Sequence, residues 1–227
     1  MNILVACEES QEVCKAFREK GHNAFSCDVQ ECSGGHPEWH IKGDVIKLLN
    51  GGNFITMDFK RHIIKKWDLI IAHPPCTHLC VSGARHFEEK RKNGQQELAI
   101  KFFIKFLDCN CEKVCIENPV GIISGNYIKK YFPKICAENG LPLKPAQIIQ
   151  PYMFGDSHRK TTCLWLKGLK PLKPTKIVEP TLITYTCKNG KRVTFDEFMI
   201  KGFKGDRSKH RSKTFPGIAK AMAEQWG

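Results

Sequence analysis

The stretch Trp67-Asp-Leu-Ile-Ile-Ala-His-Pro-Pro-Cys76 constrains the fold more than any other part of the chain. Leu69 to Ala72 are four apolar residues in a row, the pattern of a strand buried on both faces of a parallel sheet. His73-Pro-Pro75 ends that strand, because proline has no backbone N–H and disfavours helical geometry in the residue before it. The chain is therefore stiff where it leaves the sheet, and Cys76 sits on the stiff exit. Ligand crevices of open α/β sheets lie beyond the carboxyl ends of their strands. A thiol held there is a candidate nucleophile, although a turn cysteine can also be a small hydrophobe.

The remaining pattern is that of an α/β domain. Ile3-Leu-Val-Ala6 predicts a first buried strand, followed by the turn Cys7-Glu-Glu-Ser10, with Ser10 capping a helix through Val13, Ala16 and Phe17 to Gly21. Ala24 to Cys27 predicts a second strand ending in Asp28, where an acidic residue commonly accepts hydrogen bonds from a ribose hydroxyl pair. A short strand over His40–Val45 brings Asp44 near its end, and Phe54–Met57 with His62–Ile64 form a small hairpin. Arg85–Asn93 reads as a charged mobile segment. Leu98, Ala99, Phe102, Phe103, Phe106 and Leu107 recur at helical spacing as a core-facing stripe. Val114-Cys-Ile116 is a further buried strand, ending in Glu117-Asn-Pro119. A weak helix over Lys129–Asn139 precedes strands over Gln147–Ile149 and Thr162–Leu166. Gly168–Thr181 is irregular, Leu182–Phe195 is a hairpin turning at Asn189-Gly190, and Lys201–Lys213 is a flexible basic arm. A closing helix carries Pro216 in its first turn.

Composition limits the function classes. A chain of 227 residues suits one well-buried domain. No apolar run approaches the ~20 residues of a membrane span, and Met1-Asn-Ile-Leu-Val-Ala6 lacks a basic leader region, so a cytoplasmic protein without a membrane partner is expected. The twelve cysteines are scattered and partly inside apolar runs (Cys7, Cys115, Cys163), which suits reduced core thiols. Their spacings do not form the ligand pairs of a structural zinc site. The formal charge is +13, and His158–Lys213 holds 15 Lys/Arg against 4 Asp/Glu, a net of +11. A positive field this concentrated suits a polyanion such as nucleic acid.

Two strand ends thus deliver Pro74-Pro-Cys76 and Glu117-Asn-Pro119, about forty residues apart with a helix between. This pair resembles the cytosine-C5 DNA methyltransferases, whose hallmarks are a Pro-Cys nucleophile and a Glu-Asn dipeptide. Further blocks follow in that family's order. Asp28 sits where a carboxylate grips the ribose of S-adenosylmethionine, and Gly43-Asp44 is similar to the block contacting the adenine amine. Phe154-Gly155 with His158-Arg-Lys160 is similar to the Tyr-Gly…Gln-x-Arg block, and Thr214–Ala223 to the closing helix beside the first strand. The likeness covers most of the chain and is strongest to short methylase-like proteins of phages and prophages.

The resemblance implies a Rossmann-like S-adenosylmethionine-dependent methyltransferase fold with a mostly parallel sheet. A catalytic domain would comprise 1–167 and 212–227, and 168–211 would be a short basic recognition segment. It further implies methylation of cytosine C5 in double-stranded DNA, with the target base flipped out of the duplex. Cys76 would add to C6, Glu117 would act as a carboxylic acid at N3, and Arg159 or Lys160 would hold the base oxygen and keep the thiol ionised. Pro74 and Asn118 would border the cofactor, with Glu8 (or Glu9) on its methionine amino group. Lys188, Lys191, Arg192, Lys204, Arg207, Lys209 and Arg211 would track phosphates. His73 and His78 read as incidental loop histidines.

Two departures from the family pattern sustain alternatives. The first turn, Ala6-Cys-Glu-Glu-Ser-Gln11, lacks the family's glycines, which suits a non-catalytic DNA-binding protein of the same fold, such as a phage counter-defence protein. The recognition region, Pro171–Arg211, is only about 40 residues long, which suits RNA or a free cytosine nucleotide as substrate.

Overall fold

The computed structural model describes residues 1–187, 189–196 and 212–227. Its centre is a seven-stranded sheet of β1 (Asn2–Ala6), β2 (Asn23–Asp28), β3 (His40–Lys42), β6 (Leu69–Ala72), β7 (Val114–Pro119), β8 (Gln147–Ile149) and β9 (Thr162–Lys167). The order is β3-β2-β1-β6-β7-β9-β8. All neighbours are parallel except β9, which runs antiparallel between β7 and β8. This is the mostly parallel α/β arrangement expected. The strand order reverses between β1 and β6, and the crevice at such a switch point is where ligands bind.

Both faces of the sheet are covered, which explains the unbroken apolar runs. Leu4, Ile70, Ala72 and Ile116 face one core with Ile100 and Phe103 of α3 (Gln95–Leu107). Ile3, Val5, Leu69 and Ile71 alternate onto the other, against Val13 and Phe17 of α1 (Glu12–Glu19) and Ile218 and Met222 of the C-terminal helix, α6 (Pro216–Trp226). Each fully buried Ile or Leu contributes roughly 1.5–3 kcal/mol by leaving water. The excursion between β3 and β6 is the expected antiparallel hairpin, β4 (Gly52–Ile55) with β5 (Arg61–Ile64). Trp67 is buried behind it.

Several local expectations change. Leu98 is exposed, and the buried stripe of α3 runs through Gln96, Ile100, Phe103, Ile104 and Phe106; the phenylalanine spacing suggested a stripe rotated from the true one. Arg85–Asn93 contains the helix α2 (Phe87–Lys92), anchored by buried Phe87. Lys90 of this helix donates to the Thr77 carbonyl oxygen at 2.6 Å. The predicted helix over Lys129–Asn139 is two pieces, α4 (Asn126–Tyr131) and α5 (Pro133–Asn139). Pro133 starts the second piece and disfavours helical geometry at Phe132.

Residues 168–181 are tied by hydrogen bonds to the body that carries the central sheet. The Gln147 side chain bonds the backbone of Leu172, the Trp226 indole N–H donates to the Lys170 carbonyl oxygen, and Val178 N donates to the Tyr152 carbonyl oxygen. Gly168, with φ 63°, begins this path against the Glu112 carbonyl oxygen, where a Cβ would collide. The hairpin of β10 (Leu182–Thr186) and β11 (Arg192–Asp196), turning at Asn189-Gly190 as expected, forms a two-stranded sheet separate from the central one, as β4 and β5 do.

Candidate active site

Strand register builds the site. Ala6 pairs with Ala72, and Ala72 with Ile116. The next residue on each strand, Cys7, His73 and Glu117, therefore falls in a row at the carboxyl edge, across the switch point. His73 N donates to the Ala6 carbonyl oxygen at 2.9 Å, and His73 Nδ1 lies 3.0 Å from Glu117 Oε2. Because β9 runs antiparallel, its first residues reach the same edge, and Pro119 pairs with Thr162. That brings Lys160 beside Glu117.

The proline exit is pinned as its chemistry suggests. The buried Asn118 amide donates to the Pro74 carbonyl oxygen at 2.7 Å. Leu79 N and Cys80 N both donate to the Cys76 carbonyl oxygen at 2.9 Å, so a tight turn starts at Cys76. Val81 N bonds the Val120 carbonyl oxygen and Ile122 N that of Leu79, tying this loop to the one after β7.

Cys76 is partly buried. Burial pushes its thiol up, the negative potentials of Cys80 and Glu117 add to that, and Lys160 only partly opposes them. Desolvation thus outweighs one lysine at this thiol. Glu117 is shifted in the opposite sense. Burial raises its carboxyl, but the His73 hydrogen bond, Lys160 and Thr162 together outweigh burial and hold it below the ordinary carboxylate value. It rests as a carboxylate.

Of the two expected cations, Lys160 acts on both groups, while the Arg159 side chain is exposed and its backbone N–H donates to Asp196 Oδ2 at 2.6 Å. Lys160 Nζ is steadied by the Lys213 carbonyl oxygen at 3.2 Å, just before α6. The helix starts in contact with the Phe154 loop: Gly217 N donates to Asp156 Oδ2 at 2.9 Å, and a Cβ at Gly217 would strike the Phe154 carbonyl oxygen.

The crevice over β1, β2 and β3 carries the other predicted residues. Asp28 and Asp44 both act on the Cys7 thiol, so their charges gather around one point. Asp28 Oδ1 accepts from Gln30 N at 2.9 Å and Asp44 Oδ1 from Ile46 N at 3.0 Å. Cys7 and Gln11 take φ of 59° and 61°, the left-handed conformation that glycine adopts more easily. The glycine-free turn thus keeps two left-handed positions.

Glu8 does not face a ligand. Its oxygens accept from Val13 N at 2.6 Å and Cys14 N at 3.2 Å, capping α1 from inside the turn. Ser10 does not cap, and Gln11 occupies the N-cap position without a side-chain cap bond. Asp28 and Asp44 are the carboxylates that could hold a ribose and an adenine amine, while the Glu8 oxygens are engaged by the α1 backbone.

Lys191 and Arg192 are exposed on the hairpin that ends at Asp196, whose carboxylate also bonds His158 Nδ1 at 3.1 Å. Lys188, Lys204, Arg207, Lys209 and Arg211 lie outside the described residues. Sequence inspection undervalues His73. Its signal is its place directly after the buried strand, but the register that sets it against Glu117 is not visible in one chain segment.

A Rossmann-like sheet with a thiol, a carboxylate and an ammonium group at its switch point defines the class of site. No protein-family model matches the chain and no curated protein matches it. Among solved structures it is similar to a prophage-encoded E. coli protein provisionally named a DNA modification methyltransferase, at 15% identity and a TM-score of 0.47. The match covers 79% of this chain and 52% of that one, so the chain spans about half the length of the protein it matches. A likeness of this size bears on neither activity nor substrate.

Proposed function

We propose that this protein is an S-adenosylmethionine-dependent DNA methyltransferase that modifies C5 of cytosine through a covalent adduct at C6. The observation that carries this reading is that Cys76 and Glu117 lie at the ends of adjacent strands, near enough for the Glu117 charge to raise the Cys76 thiol. C5 of cytosine is too weak a nucleophile to accept a methyl group unaided. Addition of Sγ to C6 breaks the C5=C6 double bond, makes C5 electron-rich and moves charge toward N3. In this reading Glu117 would serve N3 and Lys160 would hold the base oxygen. Asp28 and Asp44 would hold the adenosine end of the cofactor, which supplies an electrophilic methyl group when bound. Transfer of the C5 proton to solvent water and departure of Sγ would restore the ring. Pro74 and Asn118 set the position of the thiol through their mutual hydrogen bond.

The basic hairpin with Lys191 and Arg192 suits phosphate binding along DNA, and the target base would be flipped to reach a crevice at a sheet edge. Mass spectrometry of nucleosides from DNA incubated with protein and S-adenosylmethionine tests the reading. 5-Methyldeoxycytidine is the expected product, and its absence at every cytosine context would end the proposal. A non-catalytic DNA-binding role draws support from the first turn, where Glu8 caps α1. Titration with labelled S-adenosylmethionine separates the two, since only the catalytic reading requires saturable binding.

A further inference from the structure

Resting on that reading, a second residue of the reaction lies on the strand that carries the thiol. His73 and Glu117 pair at 3.0 Å with side chains 10% and 11% exposed, so the pair is held away from bulk water. An ionised carboxylate has no hydrogen to give, so Nδ1 donates and Oε2 accepts. His73 Nε2 is buried and has no partner among the described residues. The ring is fixed on one side by backbone, since His73 N bonds β1, and Pro74 follows directly. The charged and titratable groups around the pair are Glu8 from the first turn, which feels the His73 charge, and Lys160, Cys76, Cys115 and Cys163, which interact with Glu117.

We infer that His73 is a positioning residue that holds Glu117 as an oriented carboxylate, so that Glu117 takes the proton from the Cys76 thiol and passes it to N3 of the base as the S–C6 bond forms. The atoms balance within the site. Sγ loses its hydrogen to Glu117, the sulfur pair forms the bond to C6, and the electrons of the C5=C6 bond move through the ring. N3 then accepts the hydrogen from Glu117. On elimination the same proton returns to sulfur. Burial raises the Cys76 thiol while its neighbours hold the Glu117 carboxyl low, the order this transfer needs. Without the Nδ1–H donor, burial would favour a carboxyl that already carries a proton and cannot receive one.

The test starts on the free protein, without DNA or cofactor. Carbon-13 NMR follows the Glu117 carboxyl against pH in wild type, His73→Leu and His73→Asn, where the asparagine amide restores a donor near Nδ1. The Glu117 titration should move to higher pH in His73→Leu and return toward wild type in His73→Asn. Covalent trapping on 5-fluorocytosine DNA should then slow at least ten-fold in His73→Leu, with its pH profile displaced, and recover substantially in His73→Asn. An unmoved Glu117 titration in His73→Leu would overturn the inference, as would trapping that falls equally in both variants. If the titration moves as expected but no cytosine substrate is ever trapped, the cytosine chemistry fails while the pairing of His73 with Glu117 stands.

Discussion

The Asn118 side-chain amide donates to the Pro74 carbonyl oxygen across 2.7 Å, joining the ends of β7 and β6 through one buried hydrogen bond. Proline supplies the carbonyl but no N–H, so this bond is what fixes the height of the loop carrying Cys76. Asn118→Ala leaves that buried acceptor unsatisfied and should cost about 1–3 kcal/mol. Denaturant unfolding measures this, and trapping on 5-fluorocytosine DNA should slow in the folded variant. Unchanged stability would remove the bond from the account.

Cys76→Ser should abolish covalent trapping, whereas Cys80→Ser should retain it. Lys160 lowers the thiol against burial, Cys80 and Glu117. Lys160→Met should therefore push the thiol further up and move the pH dependence of Cys76 alkylation by iodoacetamide to the alkaline side. A shift to the acid side would show that the lysine does not act on the sulfur.

Glu117→Gln should separate reactivity from catalysis. Removing the negative charge lowers the thiol, so alkylation of Cys76 at a fixed pH near 8 should speed up while trapping slows. Stability carries a second signature. A carboxyl held below its ordinary value of 4.5 contributes stability that is present above that pH and is lost as pH falls through the folded-state value. The stability gap between wild type and Glu117→Gln should therefore close on acidification.

Glu8 should behave as a cap. Glu8→Ala leaves Val13 N–H and Cys14 N–H without acceptors and should cost about 0.5–2 kcal/mol, while Glu8→Gln, which keeps an acceptor, should cost less. Burial raises the Glu8 carboxyl above 4.5. The folded state then binds this proton more tightly than the unfolded chain, so its ionisation erodes stability as pH rises from 4.5 to the folded value. Thermal unfolding across that range should show this slope in wild type and not in Glu8→Gln.

Lys191→Ala combined with Arg192→Ala should weaken DNA binding to a similar degree on all sequences. The slope of log affinity against log salt should fall by about 0.9 for each phosphate that the variant no longer neutralises. Fluorescence anisotropy at several salt concentrations measures this, and an unchanged slope would place these two cations away from the backbone.

The sequence by itself determined the strands and where they stop. Leu69–Ala72 and Val114–Ile116 had to be buried because nothing in them can face water, and prolines at 74, 75 and 119 marked the edge where the chain leaves the sheet. Those features put Cys76 and Glu117 at strand ends. Tertiary structure alone decided the rest. The register of β6 on β7 set His73 against Glu117, and the antiparallel course of β9 carried Lys160 to the edge where a parallel strand would have taken it away. Burial, balanced against those neighbours, decided which group keeps its proton. Glu8 became a helix cap because α1 begins directly over it, a proximity invisible in a list of residue types. Local apolarity acts between adjacent residues and can be read along the chain; charge, proton affinity and hydrogen bonding depend on distance in space, and only the folded sheet sets those distances.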